Sequence, residues 1–205
     1  MQPNSSLVLW SSSGTTRYLP RRLRSLGKDE EFLEEVLATH PELLGLENRR
    51  TGIYGPFVYF RQVSLKTPAG REIYPDIVFL SKSGHFIVVE VKLGDNSELK
   101  DRDVIAQIID YASSFAALND QELVDVLDKS FALTGSWSEF IKERFPEESE
   151  PEELASEMRR RIAAGEINLV IACDRIPPGL PEIVKGIAVQ QSTSFALDLT
   201  EVTPF

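Results

Sequence analysis

The sequence predicts a three-layer α/β domain in which helices flank a mixed central β-sheet. Short runs rich in β-branched and aromatic residues indicate strands, namely a hairpin over residues 73–92 and a buried strand over residues 167–173. Segments with helical hydrophobic periodicity alternate with these runs. The resulting order is helix, three-strand meander, helix, helical insertion, strand, helix and strand, which is typical of helices packed on a mixed sheet.

The composition indicates an ordinary globular protein. The chain has 205 residues, enough for one α/β domain with a substantial core, and its 42% hydrophobic and 26% charged content is average. No apolar run approaches the roughly 18 residues that span a bilayer, and the run Leu7–Trp10 is too short for a signal peptide. We therefore expect a cytoplasmic protein with no membrane partner. Because Cys173 is the single cysteine, an internal disulfide and a Cys-rich zinc site are excluded.

Charge is distributed unevenly along the chain. The net charge of −10 argues against indiscriminate binding of polyanions. Residues 1–28 nevertheless carry a local charge of +5, whereas residues 120–157 carry −9. We divide the chain into a basic N-terminal arm, 1–27, and a single domain, 28–205, with an acidic helical insertion at about 120–165. The arm is suited to phosphates and the insertion to a protein partner, although a solvated basic tail explains the arm equally well.

The elements before the hairpin follow from local signals. A short strand is expected near Ser6–Trp10, and a helix is expected between its N-cap Asp29 and Pro41, which ends it. The apolar stripe of this helix consists of Phe32, Leu33, Val36 and Leu37. A strand over 57–65 then leads through a turn around 68–70 into the hairpin.

The elements after the hairpin include two further helices and a final edge strand, expected over 96–119, 181–188 and 195–199 respectively. The acidic insertion is helical, with an exposed linker over 146–151. Its aromatic residues are interpreted as core anchors, with a partner-binding patch as the alternative; they are Trp137, Phe140 and Phe145.

The turn of the hairpin fixes its register. Lys82-Ser83-Gly84 is a three-residue loop in which Gly84 supplies the left-handed conformation, so Ser81 pairs with His85. Counting outward from this pair places Asp76 opposite Glu90. The register therefore brings two carboxylates together across the two strands.

These two carboxylates predict a site for a divalent cation. Asp76 and Glu90 repel each other unless a cation lies between them, and Lys92 projects from the same face as Glu90 because side chains alternate along a strand. Mg²⁺ suits the site, since it takes oxygen ligands and needs one or two carboxylates. Ordinary surface charges are the alternative, but the flanking apolar residues indicate burial, and buried carboxylates require partners.

The same residues resemble a known nuclease signature. Pro75-Asp76, thirteen intervening residues and then Glu90-Val91-Lys92 resemble the motif of the PD-(D/E)XK, or restriction-endonuclease-like, superfamily. On the following helix, Gln107 and Tyr111 are similar to the Gln-x-x-x-Tyr motif of that family.

Two further segments extend the resemblance. Residues 30–44 are similar to the acidic first helix of the branch that contains the NucS-type DNA-repair nucleases, and residues 169–178 are similar to a later core strand and turn. The resemblance covers roughly residues 28–200 in the expected order and implies a restriction-endonuclease-like core.

The resemblance implies a role for each site residue. Asp76, Glu90 and the main-chain carbonyl of Val91 would hold Mg²⁺ or Mn²⁺, and Lys92 would orient the attacking water and stabilise charge. Gln107 and Tyr111 would support the site by hydrogen bonding, with Gln107 reaching Lys92 or the water. An auxiliary acid is expected on the first helix, with Glu30 as first choice and Glu34 as second. The candidate catalytic residues are Asp76, Glu90, Lys92, Gln107, Tyr111 and Glu30.

The implied function is metal-dependent hydrolysis of DNA phosphodiester bonds, endonucleolytic rather than exonucleolytic, in repair, recombination or defence. The candidate phosphate contacts are Arg21, Arg22, Arg24, Arg49, Arg50 and Arg61. For the last three, the alternative interpretation is that they are ordinary surface charges. Oligomeric state stays open, although many nucleases of this kind act as homodimers. The alternative function is a non-catalytic interaction or adaptor module on the same scaffold.

Overall fold

The computed structural model describes residues 7–11, 14–49, 52–101, 103–188 and 194–205. In chain order its strands are β1 (Leu7–Ser11), β2 (Gly14–Tyr18), β3 (Phe57–Arg61), β4 (Leu65–Lys66), β5 (Glu72–Ile73), β6 (Ile77–Ser81), β7 (Phe86–Lys92), β8 (Asn168–Cys173) and β9 (Ala196–Glu201). Its α-helices are α1 (Glu30–Thr39), α2 (Leu46–Arg49), α3 (Ser97–Asp101), α4 (Asp103–Ala117), α5 (Asp120–Leu127), α6 (Lys129–Ala132), α7 (Trp137–Arg144), α8 (Pro151–Ala163) and α9 (Leu180–Ala188).

A five-stranded mixed sheet forms the centre of the fold, in the order β3-β6-β7-β8-β9. The first three strands are antiparallel, and β7, β8 and β9 are parallel. Helices pack on both faces, so the predicted three-layer α/β class is confirmed. Strands β1 and β2 form a separate hairpin, and β4 and β5 form a two-stranded ribbon. Within the described part of the chain, no helix is both long and apolar enough to cross a membrane.

Alternation along the central strands divides the core between the two faces of the sheet. Val78 and Val88 face a large cluster built with α4, α5, α7 and α8, whereas Ile77 and Val89 face a second cluster built with α1. Every residue of β6, β7 and β8 is buried. The expectation that the strands around the candidate site are covered on both faces is therefore confirmed.

The first helix begins and ends as predicted. The Asp29 side chain caps it by accepting a hydrogen bond from the Phe32 amide at 3.0 Å, and α1 ends just before His40-Pro41. Its predicted apolar stripe was wrong in one respect, because Phe32 is 37% exposed. The Lys28 ammonium lies over the Phe32 ring, 4.4 Å from its centroid. Glu34 is buried instead, on the face of α1 turned toward the sheet.

Two predicted strands are shorter than expected. The strand over 57–65 breaks after β3 at Gln62, a non-glycine residue with a φ of 50°, and continues as β4 in the ribbon. The first arm of the hairpin likewise begins at Ile77 rather than Ile73, because Tyr74-Pro75-Asp76 connects β5 to β6. The Gln62 amide donates a hydrogen bond to the Asp76 carbonyl at 3.0 Å. The residue at which the first strand breaks is therefore bonded to the segment that precedes β6.

The remaining predicted elements are present. The helix expected over 96–119 occurs as α3 and α4, with residue 102 outside the described residues, and β8, α9 and the edge strand β9 lie where they were expected. The strand near Ser6–Trp10 occurs as β1. The insertion is helical, its linker is exposed, and its aromatic anchors are core residues that are at most 4% exposed, namely Trp137, Phe140 and Phe145.

Candidate functional site

The hairpin register agrees with the prediction. The Ser81 amide donates to the His85 carbonyl at 3.0 Å, and Gly84 has a φ of 75°. Val78 pairs with Val88 and Ile77 with Val89, so the next position outward sets Asp76 against Glu90. Asp76 lies just beyond the end of β6, where its carboxylate accepts a hydrogen bond from the Val91 amide at 2.7 Å.

A buried lysine adjoins the facing carboxylates. Glu90 is 1% exposed and Lys92 is 8% exposed, and the Lys92 Nζ donates to Glu90 Oε1 at 2.5 Å. Glu98 of α3 also approaches, with its Oε2 3.4 Å from the Lys92 Nζ. Glu98 was not among the residues predicted from the sequence. Its only sequence signal is its position next to the cap of α3, where the Glu98 amide donates to the Asn96 side chain at 3.0 Å.

Tyr111 and Gln107 of α4 hold the other oxygen of Glu90. The Tyr111 hydroxyl lies 2.9 Å from Glu90 Oε2 and 3.1 Å from the Tyr74 carbonyl, and it accepts a hydrogen bond from the Gln107 amide at 2.8 Å. The expected hydrogen bond between Gln107 and Lys92 is therefore replaced by one to Tyr111. The spacing of four residues explains this, since it aligns Gln107 with Tyr111 on one face of the helix.

Burial and mutual repulsion dominate the electrostatics of the carboxylates. Burial, followed by repulsion from Glu90, raises the pKa of Asp76 to about 8. Burial also raises the pKa of Glu90. Burial lowers the pKa of Lys92, but the charges of Glu90 and Asp76 outweigh it and hold that pKa above its ordinary value. The lysine therefore stays protonated at neutral pH, while the carboxylates favour any additional cation.

The two candidate acids of α1 occupy different positions. Glu30 Oε1 accepts hydrogen bonds from the Leu93 amide and the Asn96 side chain, both at 2.9 Å. Glu34 is buried and contributes to raising the pKa of Asp76. Glu30, the first choice for an auxiliary acid, thus anchors the segment that follows β7, whereas Glu34, the second choice, acts electrostatically on Asp76.

The predicted phosphate contacts fall into three groups. Arg61 pairs with Glu34 at 3.0 Å and with Glu35 at 2.5 Å, so its charge is neutralised within the fold. Arg24 pairs with Asp95 at 3.0 Å. Arg21 and Arg22 are exposed just before the 3-10 helix Leu23–Leu26, which precedes α1. Arg50 and the side chain of Arg49 lie outside the described residues.

The oxygen donors at the site fit Mg²⁺ or Mn²⁺. No group of three or more His, Cys, Asp and Glu side chains arranged to hold a metal occurs in the described ranges. The candidate ligands at this site are only two carboxylates, those of Asp76 and Glu90, together with a main-chain carbonyl. The Val91 amide points to Asp76, and because the N–H and C=O of one strand residue project to the same side, its carbonyl faces Asp76 too. Two carboxylates and a carbonyl are ligands that Mg²⁺ accepts while keeping several waters.

The site is open to solvent on the side of α4. A cleft of about 580 Å³ is lined there by Glu98, Gln107 and Tyr111 among other residues. The cleft thus reaches the Tyr111 and Gln107 side of the network, whereas Asp76, Glu90 and Lys92 are not among its lining residues.

Replacing Tyr111 tests the network directly. Tyr111→Phe removes the hydroxyl that lies 2.9 Å from Glu90 Oε2, leaving a buried carboxylate with one partner fewer. We expect the free energy of unfolding to fall by about 1–3 kcal/mol in urea denaturation. The matched control is Tyr54→Phe, at an exposed tyrosine. Equal stabilities of the two variants would show that the Tyr111 hydroxyl does not support Glu90 in solution.

Comparisons with protein-family models, with curated proteins and with solved structures found no match for this chain.

Proposed function

We propose that this protein is a metal-dependent nuclease of the PD-(D/E)XK type that hydrolyses phosphodiester bonds in DNA. The observation that supports the proposal best is the facing pair Asp76 and Glu90, with the Lys92 ammonium 2.5 Å from Glu90, buried at one end of the central hairpin. Such a combination is costly to bury and has no evident role in packing. It corresponds in residue type and order to the motif found in the sequence.

Each residue has a definite task in this proposal. Asp76, Glu90 and the Val91 carbonyl would hold Mg²⁺ or Mn²⁺, which when bound supplies polarisation of the phosphoryl oxygens and activation of water. The Lys92 ammonium donates hydrogen bonds that orient the attacking water and stabilise the developing negative charge. Tyr111, oriented by Gln107, keeps the Glu90 carboxylate in place.

A non-catalytic interaction module remains the second candidate, and one observation favours it. Both oxygens of Glu90 already have protein partners, Lys92 for Oε1 and Tyr111 for Oε2, so the network is satisfied without a metal. Each carboxylate oxygen has a second lone pair, however, which leaves room for metal coordination beside the hydrogen bonds. The two candidates therefore differ in what happens when metal and nucleic acid are added.

A cleavage panel separates them. Linear duplex, single-stranded, flap, mismatched and junction DNA, together with RNA, are incubated with Mg²⁺ or Mn²⁺ and the wild-type protein, Asp76→Ala or Asp125→Ala. Asp125 is an exposed aspartate of α5 and serves as the matched control. We expect metal-dependent product from the wild type and the control and none from Asp76→Ala. An absence of product from every substrate would favour the interaction module.

The proposed activity has consequences for the location and partners of the protein. It places the protein in the cytoplasm with DNA as substrate, in repair, recombination or defence, and it allows a homodimer that cuts both strands. A protein partner would bind the outer, acidic side of α5 to α8, since the inner side packs in the core. Light scattering measures the dimer, and a pull-down with charge-reversed variants of these helices tests the partner surface.

A further inference from the structure

A second cleft begins close to the candidate active site, at the segment that follows β7. It has a volume of about 390 Å³ and includes Gly94 and Asp95, which follow Lys92 closely in sequence. Arg22 and Arg175 also line it, and Leu180 and Ile183 contribute an apolar wall. We call it the Arg22–Arg175 cleft.

A buried carboxylate hydrogen-bonds to two distant segments of the chain and so brings three segments together at this cleft. Asp174 is 7% exposed and accepts hydrogen bonds from the Leu23 amide at 3.0 Å and the Gly94 amide at 2.8 Å. Gly94 packs closely against Arg175, the residue after Asp174. A Cβ at position 94 would lie 2.6 Å from the Cβ and the carbonyl oxygen of Arg175. The main chain on each side of the cleft is therefore fixed relative to the active site.

The two arginines of the cleft are not neutralised. Neither Arg22 nor Arg175 makes an ion pair with any residue in the described part of the chain, whereas Arg24, Arg61 and Arg71 each pair with a carboxylate. The acidic side chain on the cleft wall, Asp95, is already paired with Arg24 at 3.0 Å. In a chain with a net charge of −10, this cleft thus presents two arginines without an ion-pair partner among the described residues.

The cleft on the α4 side of the active site has the opposite character. Among the residues that line it, Arg71 is the single cation. Four carboxylates also line it, namely Glu72, Glu98, Asp103 and Asp110. Arg71 is itself paired with Asp110. A polyanion near the candidate active site is therefore repelled by the α4 cleft and attracted by the Arg22–Arg175 cleft.

We propose that the Arg22–Arg175 cleft binds a backbone phosphate of the DNA strand next to the phosphate that is cleaved, so that the strand leaves the active site past Gly94. This inference rests on the proposed nuclease function. Guanidinium groups suit the task because their planar fork of donors matches phosphate oxygens. The apolar wall formed by Leu180 and Ile183 would contact the adjoining sugar or base.

Binding without cleavage provides the test. The affinity of a labelled duplex and of a labelled single strand is measured by fluorescence anisotropy in EDTA over a range of salt concentrations, using the wild type and the double variant Arg22→Gln/Arg175→Gln. Glutamine keeps the Cβ of residue 175 that packs on Gly94. We expect Kd to rise about tenfold or more and the log–log salt slope to fall by about one.

Two further variants complete the design. Arg71→Gln makes the same change on the α4 side of the same active site, and we expect its Kd and salt slope to match the wild type. Arg22→Lys/Arg175→Lys keeps both charges, so we expect it to keep most of the salt slope while losing part of the affinity. A thermal melt of each variant confirms that the fold is retained.

The outcomes distinguish this inference from the nuclease proposal. If the wild type binds and cleaves DNA while Arg22→Gln/Arg175→Gln behaves like Arg71→Gln, the inference is wrong and the nuclease proposal stands. If the wild type neither binds nor cleaves any nucleic acid, both are wrong. If inorganic phosphate alone stabilises the wild type but not the double variant, and DNA affinity is unchanged, the cleft binds a small anion and not a strand.

Discussion

Lys92→Ala is expected to lower turnover at saturating DNA by about a hundredfold or more while changing DNA affinity only a few-fold. The reason lies in the position of the ammonium, which is buried and held 2.5 Å from Glu90 at the end of β7. In the proposed mechanism, a donor in that place interacts with charge that develops in the transition state more strongly than with the bound ground state. Its loss should therefore appear in kcat and not in Kd.

The matched control is Lys82→Ala, in the turn at the opposite end of the same hairpin. Lys82 lies 3.6 Å from Glu148 and has no contact with the candidate site, so we expect wild-type kcat and Kd. Single-turnover cleavage and anisotropy give the two quantities separately. A loss of DNA affinity as large as the loss of kcat in Lys92→Ala would mean that Lys92 acts in binding, and unchanged kcat would remove it from the mechanism.

Asp76→Asn is expected to abolish stabilisation by metal while raising the stability of the metal-free protein at pH 8 or leaving it unchanged. Burial and Glu90 raise the pKa of Asp76 from 3.8 to about 8 in the folded state. The folded state then binds the proton more tightly than the unfolded state, so the free energy of unfolding falls as the pH rises from about 4 to about 8, by at most about 1.4 kcal/mol per pH unit. Asparagine is isosteric and lacks this dependence.

Urea denaturation in EDTA between pH 4 and pH 8 measures this effect, and repetition in Mg²⁺ measures the stabilisation by metal. Metal at a hundred times its Kd should stabilise the wild type by about 2.7 kcal/mol. Asp125→Asn, at an exposed position of α5, is the control and should retain both the pH dependence and the metal effect. An undiminished metal effect in Asp76→Asn would place the metal elsewhere, and an unchanged pH slope would show that Asp76 is not the titrating group.

Local signals explain why much of the fold could be predicted. The three-residue turn with Gly84 fixes a register that carries out to Asp76 and Glu90, because side-chain alternation transmits it along both strands. The break at Gln62 could not be predicted in the same way. Residues 57–65 read as one strand, and the interruption depends on a hydrogen bond to the Asp76 carbonyl, which is distant in sequence. Glu34 replaces Phe32 on the buried face for a similar reason, since Arg61 of β3 supplies its partner.

The site was predictable where its residues share one element or a known spacing. Glu90 and Lys92 lie on one strand, and Gln107 and Tyr111 lie one helical turn apart, so sequence alone aligned each pair. Asp174 and Arg175 had no such signal. They follow a buried strand, as many polar loop residues do, and their importance arises from contacts with Leu23 and Gly94 that only the tertiary structure brings together.

The parallel pairing of β7 with β8 has a consequence for the rate of folding. Strands β3, β6 and β7 pair through short connections, whereas β8 pairs with β7 only after helices α3 to α8 have been placed between them. Such long-range pairing closes a large loop and folds slowly. We therefore expect substitutions in β8 that weaken the pairing to slow refolding, while substitutions in the turn of the hairpin act earlier. We accordingly expect Asp76 and Glu90 to be brought together by the hairpin before β8 pairs with β7.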